Sequence, residues 1–206
     1  MEIKRYDSGI LSSNMYVLAD NDHAIIIDPS MDTLPGENLN VEMMIITHEH
    51  YDHISGVNVW KERFKVPLLC SESCANRITD PKTNLARYFD EICEMQSWMQ
   101  VGILPSIDYS YKCKAEKIFR DKTEFEWMGH SIRLIEIPGH SPGSIGVYVD
   151  YTHFFSGDSF FKDIEIELRF PGGSRKQWIE VGEPRIKALP KGTIIWPGHF
   201  EAFRIF

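Results

Sequence analysis

One pattern, used four times, constrains this chain more than any other: a short apolar run, then a tight turn, then a histidine or an aspartate. Met43-Met44-Ile45-Ile46 leads into Thr47-His48-Glu49-His50-Tyr51-Asp52-His53. The strand-like stretch from Ile132 to Ile137 leads into Pro138-Gly139-His140-Ser141-Pro142-Gly143-Ser144. Phe154-Phe155-Ser156-Gly157 ends on Asp158, and Ile194-Ile195-Trp196-Pro197-Gly198 ends on His199. Short apolar runs bounded by turn residues read as buried strands. Pro presets such turns, and Gly leaves room for the backbone to approach a neighbour.

The first motif is the densest. His48 and His50 stand two apart, too close to share a helix face, and they suit a tight loop leaving a strand. Asp52 and His53 then reach an adjacent position. H-x-H-x-D-H thus supplies one metal with two imidazoles and a second with a carboxylate and an imidazole. Those ligand types suit zinc, and also iron or manganese. Across the four motifs the set is His48, His50, Asp52, His53, His140, Asp158 and His199. Three protein ligands per metal plus one bridging carboxylate is the usual complement of a two-metal hydrolytic centre.

Bulk properties narrow the function classes. A chain of 206 residues builds one sizeable core, so residues 1–206 are expected to form one domain. A formal net charge of −8 argues against a nucleic-acid-backbone binder. No run approaches the roughly 20 apolar residues that span a bilayer. The N-terminus enters strand-like alternation without an apolar signal core, which points to a cytoplasmic protein acting on a small molecule. Cys70, Cys74, Cys93 and Cys113 complete no metal-knuckle spacing and are expected to be reduced thiols.

Two strand-rich halves follow one another. The first has strand-like segments near Ile3–Tyr6, Tyr16–Ala19, Ala24–Ile27, Met43–Ile46 and Val66–Leu69. The second has them near Phe125–Met128, Ile132–Ile137, Ile145–Val149, His153–Phe155 and Thr193–Trp196. Helices are expected after His53, after Ser71, near Tyr88 and from Ser174, an N-cap residue whose helix Gly182 and Pro184 should break or kink. Tyr88, Phe89, Ile92, Met95, Met99 and Ile103 recur at helical spacing and are expected to pack on a sheet; the alternative is that Met95, Trp98 and Met99 roof a substrate pocket.

The motif series T-H-E-H-Y-D-H, P-G-H-S-P-G-S, F-S-G-D and P-G-H, in this order, resembles the metallo-β-lactamase superfamily. Within it the chain looks most like the small glyoxalase II-like (hydroxyacylglutathione hydrolase-like) hydrolases. The resemblance implies an α/β fold, an αββα four-layer sandwich of two mixed β-sheets flanked by helices, with the ligands on loops at one edge. It also implies a division of the ligands: His48, His50 and His140 at one site, Asp52, His53 and His199 at the other, and Asp158 between them. Two divalent ions, most simply Zn2+, would lower the pKa of shared water towards about 7 and polarise a thioester, ester or lactone carbonyl. Asp52 would orient the water and carry its proton.

Other residues take lesser parts. Asp28 and Thr47 are expected to hold the ligand loop from behind. Glu49, between two ligands, is expected to face solvent. His23, His130 and His153 should make ordinary hydrogen bonds, and Tyr51 and Ser141 are candidates for substrate contact.

The chain also departs from the pattern. Zinc β-lactamases carry Cys or Ser where this chain has Asp158. No C-terminal glutathione-binding helical region is expected after His199. Glu167-Leu168-Arg169 stands where the family has R-T-D before Phe170-Pro171-Gly172-Gly173, and Ser30 replaces a usual Gly. The short stretch between Asp28 and Thr47 implies that the first outer helix is shortened or lost. Competing readings are a mononuclear-iron oxidoreductase like the persulfide dioxygenases, and a metal-binding protein without catalysis. His50 stands against the flavodiiron branch, which has Glu there.

Overall fold

Runs of branched and aromatic residues make the sheets, and the turns between them carry residues that tolerate positive φ. The structure, a computed structural model, describes residues 1–31, 39–95 and 107–206. Glu2–Asp7 (β1), Asn14–Asp20 (β2) and His23–Ile27 (β3) form an antiparallel meander. Asn40–Ile45 (β4), Leu68–Ser71 (β5) and Lys117–Phe119 (β6) extend it in parallel, giving the order β1-β2-β3-β4-β5-β6. The second sheet has the order β12-β11-β10-β9-β8-β7. Its strands are Lys122–Trp127 (β7), His130–Glu136 (β8), Ile145–Val149 (β9), His153–Gly157 (β10), Ile194–Pro197 (β11) and Phe203–Arg204 (β12). Only the β10–β11 pair is parallel there, so both sheets are mixed. Met128 and Gly129 both take positive φ, 50° and 80°, the two-residue geometry that matches strand twist in a hairpin.

Side-chain alternation decides the layers. Tyr16, Leu18, Ile25, Ile27 and Ile45 point into the space between the sheets, against Ile132, Leu134, Ile145, Val147 and Phe155. Their neighbours Val17, Ala24, Ile26, Met44 and Ile46 point the other way, onto the helical layer that contains Ile54, Val57 and Trp60. β2 and β3 are thus buried on both faces, which explains their nearly unbroken apolar runs. On the far side of the second sheet, Ile137, Phe154 and Ile195 pack against Ile186 and Leu189. The result is the expected αββα sandwich. Each fully buried Ile in these layers contributes about 1.5–3 kcal/mol.

The helices are Tyr51–Ile54 (α1), Val57–Phe64 (α2), Glu72–Arg77 (α3), Phe89–Met95 (α4), Arg175–Gln177 (α5) and Glu183–Lys187 (α6). Ser71 caps α3 by accepting from the Cys74 amide, and Ser174 caps α5 by accepting from the Gln177 amide. The break expected at Gly182 and Pro184 takes a milder form. The helix widens into a π turn over Trp178–Gly182 and restarts with Pro184 in the first turn of α6, where no amide is needed.

All ten strands expected from the sequence are present, some with shifted ends; β6 and β12, at three and two residues, were not expected. The four cysteines are free thiols. Among the described residues no helix is long and apolar enough to cross a membrane. Most of the supposed shortened outer helix, along with Trp98, Met99 and Ile103, lies outside the described residues.

Candidate metal centre

Four strand ends converge at one edge of the sandwich. β4 delivers Thr47 to His50, after which α1 starts at Tyr51 and turns Asp52 and His53 inward. The turn after β8 delivers His140, β10 delivers Asp158 and β11 delivers His199. All seven side chains are buried, the most exposed being Asp52 at 8%. One potential ligand atom each from His48, His50 and His140 lies within 4.8 Å of the others. The same holds for Asp52, His53 and His199, and for His48, His53 and Asp158. The structure therefore brings together every ligand candidate read from the sequence.

Whether this cluster suits metal ions is tested by its hydrogen bonds. A buried imidazole nitrogen or carboxylate oxygen without a partner is costly and rare. Here His48 Nε2, His53 Nε2 and Asp158 Oδ1, one atom from each member of a single ligand group, are buried without a hydrogen-bond partner. His140 Nε2 and His50 Nδ1 lie 3.0 Å apart, close to the roughly 3.3 Å separating two nitrogens on one tetrahedral zinc. His53 Nε2 stands 3.3 Å from Asp52 Oδ2 and 3.5 Å from Asp158 Oδ1, and His199 Nε2 is 3.3 Å from Asp158 Oδ2. The donor set, five imidazoles and two carboxylates, fits divalent metal.

The opposite ring nitrogens of His48, His53 and His140 are held from behind. Asp28, at φ 52° beyond the end of β3, accepts from the Thr47 amide at 2.6 Å, from the Thr47 hydroxyl at 2.7 Å and from His53 Nδ1 at 3.1 Å. Thr47 Oγ1 in turn sits 3.1 Å from His48 Nδ1. His140 Nδ1 donates to the Glu167 carbonyl at 2.8 Å. Such partners fix the tautomer and aim the other nitrogen at the metal position. Gly157, at φ 49°, leaves no room for a Cβ, which would fall 2.5 Å from Thr47 Oγ1; β10 can approach the ligand loop only with Gly there.

The supporting roles expected of Asp28 and Thr47 are those the hydrogen bonds give them. Sequence reasoning missed a second support. Ser13 donates to the Asp52 carbonyl at 2.7 Å and bridges to His199, while Asn14 Nδ2 donates to the Pro197 carbonyl at 3.0 Å. The first hairpin thereby ties the last ligand loop to the first. The available signal was a pair of buried polar residues at the start of an apolar strand.

The reading of Glu49 is corrected. It is fully buried, not solvated: Arg77 Nε donates to its Oε1, and the Ser141 hydroxyl donates to its Oε2 at 2.8 Å. Ser141 is therefore turned away from the cleft. His23 pairs with Glu42, His130 with Asp150 and Asp20, and His153 accepts from Trp196 Nε1.

In the metal-free protein, electrostatics divide the imidazoles. Burial drives His48 and His50 well below the ordinary imidazole pKa, and neighbouring imidazoles add to it. Burial pushes His53 and His199 the same way, but the Asp52 and Asp158 carboxylates outweigh it and raise both. Burial opposes ionisation of Asp158, yet the His199 and His53 imidazoles hold it well below the carboxylate range.

A small cleft opens over the centre. His50, Asp52 and Asp158 form its floor, and Leu11, Tyr51, Leu85, Phe89, Ile92 and Phe170 form its walls. Tyr51 thus faces the cleft as expected, and Phe89 and Ile92 of the helical stripe join it; the side chain of Met95 lies outside the described residues.

Known proteins share this fold. Residues 8–199 match the model of the metallo-beta-lactamase superfamily. The "Probable metallo-hydrolase YqgX" of Bacillus subtilis is 24% identical over 206 residues, covering 97% of this chain and 90% of the relative. The BLEG-1 B3 metallo-beta-lactamase crystal structure superposes with a TM-score of 0.81 at 24% identity, over 98% of this chain and 94% of that one. TTHA1623 in a di-iron-bound form gives a TM-score of 0.72 at 20% identity, over 98% and 94%. With the family model spanning nearly the whole chain and the sandwich and its histidine-aspartate edge in place, this chain belongs to the metallo-beta-lactamase superfamily.

Proposed function

We propose that the protein is a binuclear metal-dependent hydrolase of the thioesterase or esterase type, glyoxalase II-like in its centre, acting on a small acyl substrate. The observation that carries this reading is the convergence of unpartnered, buried ligand atoms beneath a cleft. His48, His50 and His140 would hold one ion, Asp52, His53 and His199 the other, and Asp158 both. Divalent metal in such a site polarises a carbonyl and makes water nucleophilic near neutral pH. Asp52 reaches both the cleft and the second ligand group, so its carboxylate orients the attacking water and accepts its proton. The apolar walls exclude bulk water from the reacting carbonyl and hold the acyl group. The unpartnered nitrogens of His48 and His53 aim inward because Thr47 and Asp28 occupy the opposite ring edges.

The test is metal analysis of protein purified without added metal, followed by assay of acyl esters, acyl thioesters and S-lactoylglutathione. Two zinc ions per chain with thioester or ester cleavage is the expected result. One iron per chain, with oxygen consumption on a persulfide and no acyl cleavage, would overturn it. TTHA1623 was crystallised with two irons, so binuclear iron with acyl cleavage would change only the metal.

A further inference from the structure

The cleft wall most intimately joined to the centre is Phe170. Its ring stands 5.9 Å from that of His50 and 6.0 Å from that of His140, nearly perpendicular to both. It is 4% exposed although it sits on a turn with no regular secondary structure. A turn holds a side chain in place only if its backbone is anchored, and here three anchors exist. The Glu167 carbonyl accepts from His140 Nδ1 at 2.8 Å, the Ser174 amide donates to the Gly139 carbonyl at 2.8 Å, and Arg77 Nη2 donates to the Pro171 carbonyl at 3.0 Å.

Arg77 is the unusual one. It leaves the last turn of α3, and the same guanidinium pairs with the buried Glu49 and reaches the Thr83 carbonyl at 3.3 Å. A Cβ at Gly172 would fall 2.5 Å from Arg77 Nη2, so the turn lies directly on the guanidinium. Only a planar fork with several N–H groups can serve the ligand loop, the Thr83 loop and the Phe170 turn at once. Burying Glu49 is costly unless it is paired.

We infer that Phe170, pinned by the Arg77–Glu49 pair, is the specificity-determining wall of the cleft and selects an apolar acyl group. Among the described residues the cleft has no Lys or Arg side chain, and its walls are Leu11, Tyr51, Leu85, Phe89, Ile92 and Phe170. Apart from the Tyr51 hydroxyl, which accepts from the Asp108 amide, these walls offer an acyl group hydrophobic contact beside the metal position. Phe170 is the contact residue and Arg77 a positioning residue. This deepens the hydrolase reading, on which it rests.

The probes are octanoate and acetate, bound to zinc-loaded protein and measured by calorimetry, which needs no turnover. Octanoate should bind at least about tenfold more tightly than acetate, the discrimination a hydrophobic pocket achieves. Phe170→Ala should remove most of that ratio, lowering octanoate affinity far more than acetate affinity. Arg77→Lys keeps a cation for Glu49 but loses the fork. It should cut octanoate affinity severalfold with acetate affinity and zinc content unchanged, and adding Phe170→Ala should cost little more. With octanoyl and acetyl esters, Arg77→Lys should raise KM for the octanoyl ester and hold kcat within about twofold. Equal affinity for the two acids in the wild type would overturn the inference. So would an Arg77→Lys protein that loses zinc and both affinities together, because that is a merely structural effect. Selective octanoate binding without cleavage of any ester or thioester would sink the hydrolase reading and leave the specificity wall standing.

Discussion

The two halves of the centre are built from similar parts and supported in opposite ways. His48, His50 and His140 form an all-imidazole group backed by uncharged partners, the Thr47 hydroxyl and the Glu167 carbonyl. Asp52, His53 and His199 contain a carboxylate, lie against Asp158, and are backed by the Asp28 carboxylate. In the absence of metal His48 and His50 shed their protons, while His53 and His199 keep theirs to higher pH. The difference teaches that neighbouring ligand groups sharing one loop can differ in character through what stands behind each ring. Removing the shared element, then each support in turn, tests that division.

The largest effect is expected from Asp158→Ala. Its carboxylate lies 3.3 Å from His199 Nε2 through one oxygen and 3.5 Å from His53 Nε2 through the other. The same side chain stands 3.6 Å from His140 Nε2. Both halves should lose metal, and activity should fall by about a thousandfold, the scale of several kcal/mol of lost Lewis-acid stabilisation. Metal analysis showing both ions retained would refute the bridging role.

Asp28→Asn comes next and should act mainly on the second half, which contacts Asp28 directly, while the first is reached only through the Thr47 hydroxyl. Asn can keep the positive φ of this position and accept from the Thr47 amide, but it removes the charge behind His53. Loss of such an outer carboxylate typically costs 10–100-fold in metal affinity. Competition with a chromogenic chelator should show one ion weakened by about that factor and the other nearly unchanged. Equal weakening of both ions would erase the distinction between the halves.

Much of this was legible in the sequence because the ligands sit at strand ends, where an apolar run followed by Pro-Gly or Gly-Asp is a local signal. The αββα layering came through the family resemblance alone; the residue pattern marked the strands, but which faces β2, β3 and β8 bury is set by packing between distant segments. Glu49 was misread because its partner Arg77 is 28 residues away, and a charged residue in a polar loop is ordinarily solvated. β6 and β12 were missed because segments of three and two residues carry no periodicity. The π turn was read only as a break or kink because composition cannot say how a helix will accommodate Gly182 and Pro184. Phe170 escaped notice as a cleft residue because its place is set by backbone anchors contributed by other loops.

A smaller effect separates the halves by pH. Metal must displace a proton from an imidazole whose pKa is raised, so uptake by the second half should strengthen with pH, by about tenfold per unit for each proton released. The gain should flatten above the raised pKa of His53. His48 and His50, already neutral, release no proton on binding metal between about pH 6.5 and 8, so the first half should gain less with pH. The signs for metal-free stability differ too. A raised folded pKa at His53 contributes stability that is present below about pH 6.5 and is lost as pH rises through the folded value. Depressed values at His48 and His50 make the metal-free fold lose stability as pH falls below about 6.5. Metal titrations at three pH values with parallel slopes for both ions would contradict the division.

The smallest effect should come from Thr47→Val, and it tests the uncharged support. The substitution preserves shape beside Gly157 but deletes the hydroxyl that links His48 Nδ1 to Asp28. A single neutral hydrogen bond is worth about 1 kcal/mol net, so affinity for the first ion should fall by only about fivefold. The His53–Asp28 contact does not pass through this hydroxyl, and Asp28 still accepts from the amide at position 47. The second ion should therefore be held as before, the mirror image of the Asp28→Asn result. If Thr47→Val instead weakened the second ion more than the first, the Asp28–Thr47–His48 chain would be acting as one support for the whole centre rather than as separate supports for its halves.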